Sequence, residues 1–156
     1  MSGSVTPIRI HMCDDDPDDQ LLVSDALEEA RLGNPIDFTH NGKELLQYLN
    51  RTGEYSHLVD QPLPGLILLD LNMPVMDGRE VLSKIKQHDK FRSIPIIVLT
   101  TSKAETDIAK TYDMGVNSFI VKPVSFDSLV EMVRSVTKYW FHFVSLPKIS
   151  DTFEDE

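Results

Sequence analysis

The chain has 156 residues, 41% of them hydrophobic and 26% charged, and a formal net charge of −10. That is the size and balance of one globular domain able to bury its own core, which excludes long disorder, collagen-like repeats and low-complexity sequence. The single cysteine, Cys13, excludes an internal disulfide and a cysteine-rich metal centre, and no apolar run approaches the ~18 residues that cross a bilayer.

The opening MSGSVTPIRI lacks the charged and apolar regions of a secretory signal, so a cytoplasmic protein without a membrane segment is expected. The negative charge is uneven. Asp14, Asp15, Asp16, Asp18 and Asp19 crowd one stretch, and Asp151, Glu154, Asp155 and Glu156 end the chain; without these nine the net charge is −1. The body carries no basic stripe, so direct nucleic-acid binding is not expected.

Residues 1–7 read as an N-terminal extension. Ile8–Cys13 reads as a strand, and Asp16-Pro17 as a helix start in which Asp caps the free N–H groups and Pro occupies the first turn. Leu21, Leu22, Asp25, Ala26, Glu29 and Ala30 follow helical spacing, and Gly33 ends the run. Ile36–Thr39 is a second strand. After the Asn41-Gly42 turn, Leu45, Leu46 and Leu49 mark a second helix, and Arg51–Leu63 is the longest predicted loop. Leu66–Leu69 is a continuous apolar strand ending at Asp70, as expected of a strand covered on both faces. Asp77 caps a third helix carrying Val81, Leu82 and Ile85. Pro95–Leu99 is a fourth strand ending at Thr100, and Ala104–Met114 a fourth helix. Ser118–Val121 is a fifth strand ending at Lys122-Pro123. A long helix from Ser125 to Val144 follows, and residues 145–156 form an acidic tail.

Strands and helices in alternation predict an α/β fold with a parallel sheet covered by helices on both faces. Ligands of such sheets sit beyond the carboxyl ends of the strands, where the strand order reverses. Asp14 and Asp15 follow the first strand, Asp70 the third, Thr100 ends the fourth and Lys122 follows the fifth. Three carboxylates suit a hard dication such as Mg²⁺, a lysine and a hydroxyl suit phosphoryl oxygens, and a carboxylate can itself accept a phosphoryl group.

These motifs resemble a known family. Asp14-Asp15, LILLDLNMPVMDG around Asp70, PIIVLTTS around Thr100 and FIVKP around Lys122 are similar to the receiver domain of two-component response regulators, in order and over about Ile8–Val136. The resemblance implies a flavodoxin-like (CheY-like) doubly wound sheet of five parallel strands in the order 2-1-3-4-5, within a receiver domain over residues 8–144. It implies Asp70 as phosphoacceptor and Mg²⁺ as cofactor. Asp15 would hold the metal directly and Asp14 mostly through water, with the Asn72 backbone carbonyl as a further ligand. Thr100 and Lys122 would bind phosphoryl oxygens, Thr100 and Phe119 would form the switch pair, and the Lys122–Pro123 bond would be cis. The long loop, the Thr-Thr-Ser after the fourth strand and the ending KYWFHFVSLP resemble single-domain regulators associated with bacterial phytochromes. A bacteriophytochrome is then the expected sensor histidine kinase.

Competing readings are weaker. Asp14, Asp16 and Asp18 alternate like calcium-loop ligands, but Asp19 stands where the glycine turn belongs and a strand precedes the loop. A haloacid dehalogenase-type phosphatase also uses an aspartate nucleophile and Mg²⁺. Its general acid two residues on would here be Asn72, an amide that cannot cycle a proton. A decayed receiver serving only as an interaction module conflicts with the intact set of site residues. Asp16, Asp18 and Asp19 read as a helix start, Cys13 as a small buried apolar residue, and the five histidines as structural or surface residues.

The expected function is a stand-alone phosphorylation switch and not a turnover enzyme. Only twenty residues follow Val136, too few for a DNA-binding output domain. Output is then expected through a downstream protein partner, a phosphotransfer protein or the dimer itself. Tyr139, Trp140, Phe141 and Phe143 cannot all share the stripe formed by Phe126, Leu129, Val130, Val133 and Val136, so they predict a homodimer interface.

Overall fold

A computed structural model of the chain describes residues 8–73, 75–100, 113, 115–116 and 118–139, with Thr100 described by its backbone only. Five parallel strands, β1 (Ile10–Cys13), β2 (Ile36–Thr39), β3 (Leu66–Leu69), β4 (Ile96–Thr100) and β5 (Ser118–Val121), form one sheet in the order β2-β1-β3-β4-β5. The described helices are α1 (Pro17–Glu29), α2 (Gly42–Asn50), α3 (Gly78–Gln87) and α4 (Phe126–Lys138).

The side-chain period of two splits the core. Ile10 and Met12 of β1, Leu66 and Leu68 of β3, and Ile97 and Leu99 of β4 pack with Val23, Ala26 and Leu27 of α1 and Leu129, Val130 and Val133 of α4. Their neighbours in sequence, including Cys13, Ile67, Leu69, Ile96 and Val98, point the other way and meet α2 and α3. Burial on both faces is why β3 and β4 read as unbroken apolar runs.

Side chains set the helix starts. The Asp16 carboxylate accepts from Asp18 N at 2.9 Å, and Asn41 Oδ1 from Glu44 N at 2.9 Å. Asp77 Oδ1 accepts from Arg79 N at 2.8 Å, which fits its expected capping role, and Ser125 Oγ from Ser128 N at 3.1 Å.

The structure corrects several expectations. β1 starts at Ile10, where its N–H reaches Pro35 O at 2.9 Å, and not at Ile8. The inward face of α1 is Gln20, Val23, Ala26 and Leu27, while Leu21 and Leu22 are exposed. The Arg51–Leu63 loop contains a 3₁₀ turn over Gly53–Leu58. Arg51 braces it, donating to Tyr48 O at 2.7 Å and Pro62 O at 2.9 Å while lying over the Tyr48 ring. The final helix is described to Lys138, so the expectation up to Val144 lies outside the described residues, as does the Ala104–Met114 helix except Asp113. The Lys122–Pro123 bond is trans, the form an X–Pro bond favours by about 0.5–1 kcal/mol when nothing forces the other.

His11 is a structural histidine, as expected, but a deeply buried one. On β1, it stacks on Tyr48 of α2 with ring centroids 3.9 Å apart. Its Nδ1 lies 2.8 Å from Asp37 Oδ1 and its Nε2 2.9 Å from Thr39 Oγ1. The neutral ring fits both contacts if Nδ1–H donates to the carboxylate and Nε2 accepts from the hydroxyl. Tyr48 also donates to Asp37 Oδ2 at 2.9 Å, and Arg9 and Arg51 add positive charge nearby. Burial pushes the imidazole below its ordinary value, outweighing the Asp37 carboxylate. As the pH falls, the unfolded chain therefore takes up this proton first. The stabilisation is complete above about pH 6.5 and drains away below it, by up to about 1.4 kcal/mol per pH unit. Between about pH 7 and 5 the Asp14 carboxyl, raised to about 6, contributes the opposite slope, so the check is a difference. In urea unfolding the wild type should lose more stability on acidification than His11→Gln, in which the His11 share is gone. Equal slopes would place the acid sensitivity elsewhere.

Candidate functional site

The strand order reverses between β1 and β3, and the site lies at the carboxyl ends of these two strands. Asp14 follows β1 and Asp70 follows β3, and Asp70 N donates to Cys13 O at 3.0 Å, which locks the two strand ends in register. Asp14 N donates to Thr39 O at 3.1 Å. Gln20 closes the corner, its Nε2 donating to Asp14 O at 2.7 Å and Thr39 O at 3.1 Å. This amide clip fixes the rotation of α1 and with it the turn that carries Asp14 and Asp15.

Carboxylate oxygens of Asp14, Asp15 and Asp70 lie within 4.8 Å of one another, Asp14 and Asp70 buried and Asp15 exposed. Three hard oxygen donors converging from two strand ends fit a single dication such as Mg²⁺, which prefers carboxylate and water ligands. The exposed Asp15 also leaves one side open to water. The donor set contains no sulfur or imidazole, so a soft metal is disfavoured.

Lys122 arrives from the end of β5. Its Nζ donates to Asp14 Oδ2 at 2.8 Å and to Asp19 Oδ2 at 2.6 Å, and lies 3.6 Å from Asp70 Oδ2. Burial alone would lower its pKa, but the hydrogen bonds to Asp14 and Asp19 outweigh that and hold the ammonium above its usual range. For Asp14 the balance tips the other way. Burial pushes its carboxyl up to about 6, against the pull of Lys122 and of the Asp16 N–H. Asp14 therefore needs a cation beside it to stay charged at neutral pH.

The loop after β3 is held from behind. Asn72 N donates to Asp70 Oδ1 at 3.2 Å, and Gly78 N to Leu71 O at 3.0 Å. A Cβ on Gly78 would fall 2.4 Å from Asp70 O and 2.7 Å from Leu71 Cα, so only glycine lets α3 approach the Asp70 backbone. Gly42 makes a similar close approach to Met76, whose carbonyl accepts from Gly42 N at 3.0 Å. Both flanks of the Asp70 loop are thus pinned.

The fold brings Asp14, Asp15, Asp70 and Lys122 together. Asn72 is exposed beside them, and the Thr100 backbone ends β4 next to Val121 of β5, its side chain outside the described residues. Phe119 is partly buried against the α2–α3 core. Tyr139 is exposed at the end of α4, and Trp140, Phe141 and Phe143 lie outside the described residues. Cys13 is fully buried, as expected, and burial pushes its thiol up to about 12, which leaves it unreactive. Sequence reasoning missed Asp19 as a partner of Lys122 and Gln20 as the clip. A polar residue three positions before Val23, on what became the buried stripe of α1, was the signal for Gln20.

Comparison with known proteins agrees with this geometry. A family model described as the response regulator receiver domain matches residues 10–134. Response regulator Rcp1 of Synechocystis sp. is 36% identical over 148 residues, spanning 94% of this chain and 99% of that protein. The crystal structure of the phosphorylated cyanobacterial phytochrome response regulator RcpA superposes with a TM-score of 0.83 at 35% identity, covering 91% of this chain and 99% of that one. The Mn²⁺-bound form of Rcp1 gives a TM-score of 0.80 at 36% identity, covering 91% of this chain and 100% of that one.

Proposed function

The chain belongs to the response regulator receiver family, and from that premise we propose that it is a stand-alone switch in which Asp70 accepts a phosphoryl group from a sensor histidine kinase. The observation that carries this reading is the convergence of Asp14, Asp15 and Asp70, with Lys122 reaching over from β5. We read residues 8–144 as the receiver, with residues 1–7 and 145–156 as flanking segments. The reading is a switch and not a turnover enzyme, since Asn72 offers no general acid to a hydrolytic cycle.

In the transfer, an Asp70 carboxylate oxygen attacks phosphorus, the P–N bond of the donor's phosphohistidine breaks, and the imidazole nitrogen leaves with the bonding pair. Asp15 and Asp70, the Asn72 carbonyl, and Asp14 through water would hold Mg²⁺, which when bound neutralises charge on the phosphoryl oxygens. Lys122 supplies a second positive charge from the β5 side, and Thr100 a hydroxyl. The pinned Asp70 loop keeps the nucleophile from drifting. Phe119, packed toward the α2–α3 core, would swing by packing alone because it lacks a hydroxyl.

The phytochrome link of RcpA supports a bacteriophytochrome as the donor, and the Mn²⁺ form of Rcp1 supports divalent-metal use. Among the described residues no helix is long and apolar enough to cross a membrane, which is consistent with a cytoplasmic partner for such a kinase. Output passes to a downstream protein or phosphotransfer partner, with no direct nucleic-acid contact.

Calorimetric titration with Mg²⁺ tests the metal assignment. Asp15→Ala should weaken binding more than Asp14→Ala, since Asp15 is the exposed inner ligand whereas Asp14 is already engaged by Lys122. Equal losses would reverse the division of roles. A homodimer through Tyr139, Trp140, Phe141 and Phe143 is supported by the 56% exposure of Tyr139. Sedimentation should show a dimer for the wild type and a monomer for Tyr139→Ala/Phe143→Ala. A monomeric wild type, with and without phosphodonor, would remove the dimer from the reading.

A further inference from the structure

Lys122 has three N–H donors and three carboxylates around it. Two of the donors are committed, to Asp14 at 2.8 Å and to Asp19 at 2.6 Å, whereas Asp70 at 3.6 Å is beyond hydrogen-bond range. The ammonium therefore rests away from the residue it would serve. Although its third donor is uncommitted among the described residues, moving the nitrogen toward a phosphoryl group on Asp70 competes with the two hydrogen bonds that hold it.

The two partners are not equivalent. The Asp14 side chain has 0% exposure, and that of Asp19 has 30%. Losing its counter-ion would strand a buried charge at Asp14, whereas the Asp19 carboxylate can turn to water. The stem of Lys122 also has room to move, since a small cavity bordered by Asp19, Leu22, Leu99, Pro123 and Leu129 flanks it.

We propose that Asp19 is a positioning residue that holds Lys122 in a resting place, and that this ion pair is the one exchanged when Asp70 carries a phosphoryl group. The inference rests on Asp70 being the phosphoacceptor. It gives α1 a direct sense of the state of Asp70, because Asp19 lies in the first turn of that helix. It also assigns a task to an acid that otherwise reads as one more helix-start aspartate. Asp19 does not touch the transferred group; it sets the equilibrium that the lysine must leave.

The test uses the full chain with Mg²⁺ and beryllofluoride, a non-transferable phosphoryl analogue. Asp19→Asn removes the resting partner and should tighten beryllofluoride binding by roughly five-fold, the worth of one partly exposed ion pair. Asp18→Asn is the control. It makes the same charge change in the same turn, on an exposed residue with no ion pair to Lys122. Asp19→Glu, which keeps the carboxylate, should return affinity toward the wild-type value, a rescue that a merely structural role would not give. In a Lys122→Ala background, Asp19→Asn should do no more than Asp18→Asn. If Asp19→Asn and Asp18→Asn behave alike with Lys122 present, or if Asp19→Asn weakens binding, the proposal is overturned while the phosphoacceptor reading stands. If the wild type itself takes up no beryllofluoride, the phosphoacceptor reading has failed and this inference falls with it.

Discussion

Asp70→Asn is expected to abolish phosphoryl uptake from acetyl phosphate or a phosphorylated kinase while leaving the fold as stable as before or slightly more so. The amide oxygen is too weak a nucleophile to open the P–N or P–O bond of the donor, so hydroxylamine-sensitive label should vanish entirely. Stability should survive because the fixed contacts of this residue are made by its backbone and by one acceptor oxygen. Asp70 N still reaches Cys13 O, and an amide Oδ1 can still accept from Asn72 N. The substitution also removes one of three carboxylates crowded around a single ammonium, which relieves like-charge repulsion. A catalytic centre that gains stability when its nucleophile is neutralised is a common trade. Thermal melts alongside the labelling separate loss of chemistry from loss of fold. Label that persists in Asp70→Asn would move the phosphoacceptor elsewhere.

Lys122→Ala should do the reverse and damage the fold as well as the switch. It leaves the fully buried Asp14 carboxylate accepting from the Asp16 N–H at 2.9 Å but with its ammonium counter-ion gone. Breaking one side of a buried pair typically costs about 3–5 kcal/mol, and that is the loss expected here at neutral pH without metal. The pH dependence follows from Asp14. Its carboxyl already stands at about 6 with the lysine present, because burial opposes its charge. Removing the lysine raises it further, so the folded variant binds a proton more readily than the unfolded chain. The deficit should therefore shrink as the pH falls toward the ordinary carboxylate range and grow as it rises through neutrality. Added Mg²⁺ should recover much of the loss, since a dication among the three acids can replace the ammonium and binds only the folded state. Phosphorylation of the variant should still occur at Asp70, but without the change in partner affinity or oligomeric state seen in the wild type. Urea titrations across pH, with and without Mg²⁺, check the first part. A stability loss under about 1 kcal/mol would mean that Asp14 is solvated well enough to need no partner.

The two variants differ in sign because the same electrostatics acts on them from opposite sides. Among the described residues the site holds four acids, Asp14, Asp15, Asp19 and Asp70, against Lys122. Removing an acid lowers the strain, and removing the base raises it. This imbalance is what makes the pocket receptive to a metal and a phosphoryl group together.

Much of this was legible in the chain because it depends on local rules. Leu66–Leu69 was recoverable to the residue, since a covered strand is a short apolar segment bounded by polar groups, and the partly buried edge strand Ile36–Thr39 was bounded by the turn residues that flank it. Asp16 and Asp77 announced helix starts because capping needs a short acceptor at one position, whereas Asn41, read as a turn residue, proved to be the cap of α2. The site residues were legible for the same reason: each stands at or next to the end of a strand, and a parallel sheet carries all those ends to one rim.

What tertiary structure alone decided are distances between elements and the rotation of each helix. Helical spacing alone did not choose the inward face of α1; the structure turns Gln20 and Val23 to the sheet and leaves Leu21 and Leu22 exposed, because the Gln20 amide finds two buried carbonyls there. His11 gave no sign of its depth, since its burial depends on Asp37, Thr39 and Tyr48, residues 26 to 37 positions away that meet it across strands and helices. The chain names Lys122 as a member of the site, but its pairing with Asp14 and Asp19 ahead of Asp70 arises only when β5 is laid beside β4 and α1 beside the sheet. An ion pair is set by separations of a few ångströms and by how much water each partner keeps, and neither quantity is written in the order of the residues.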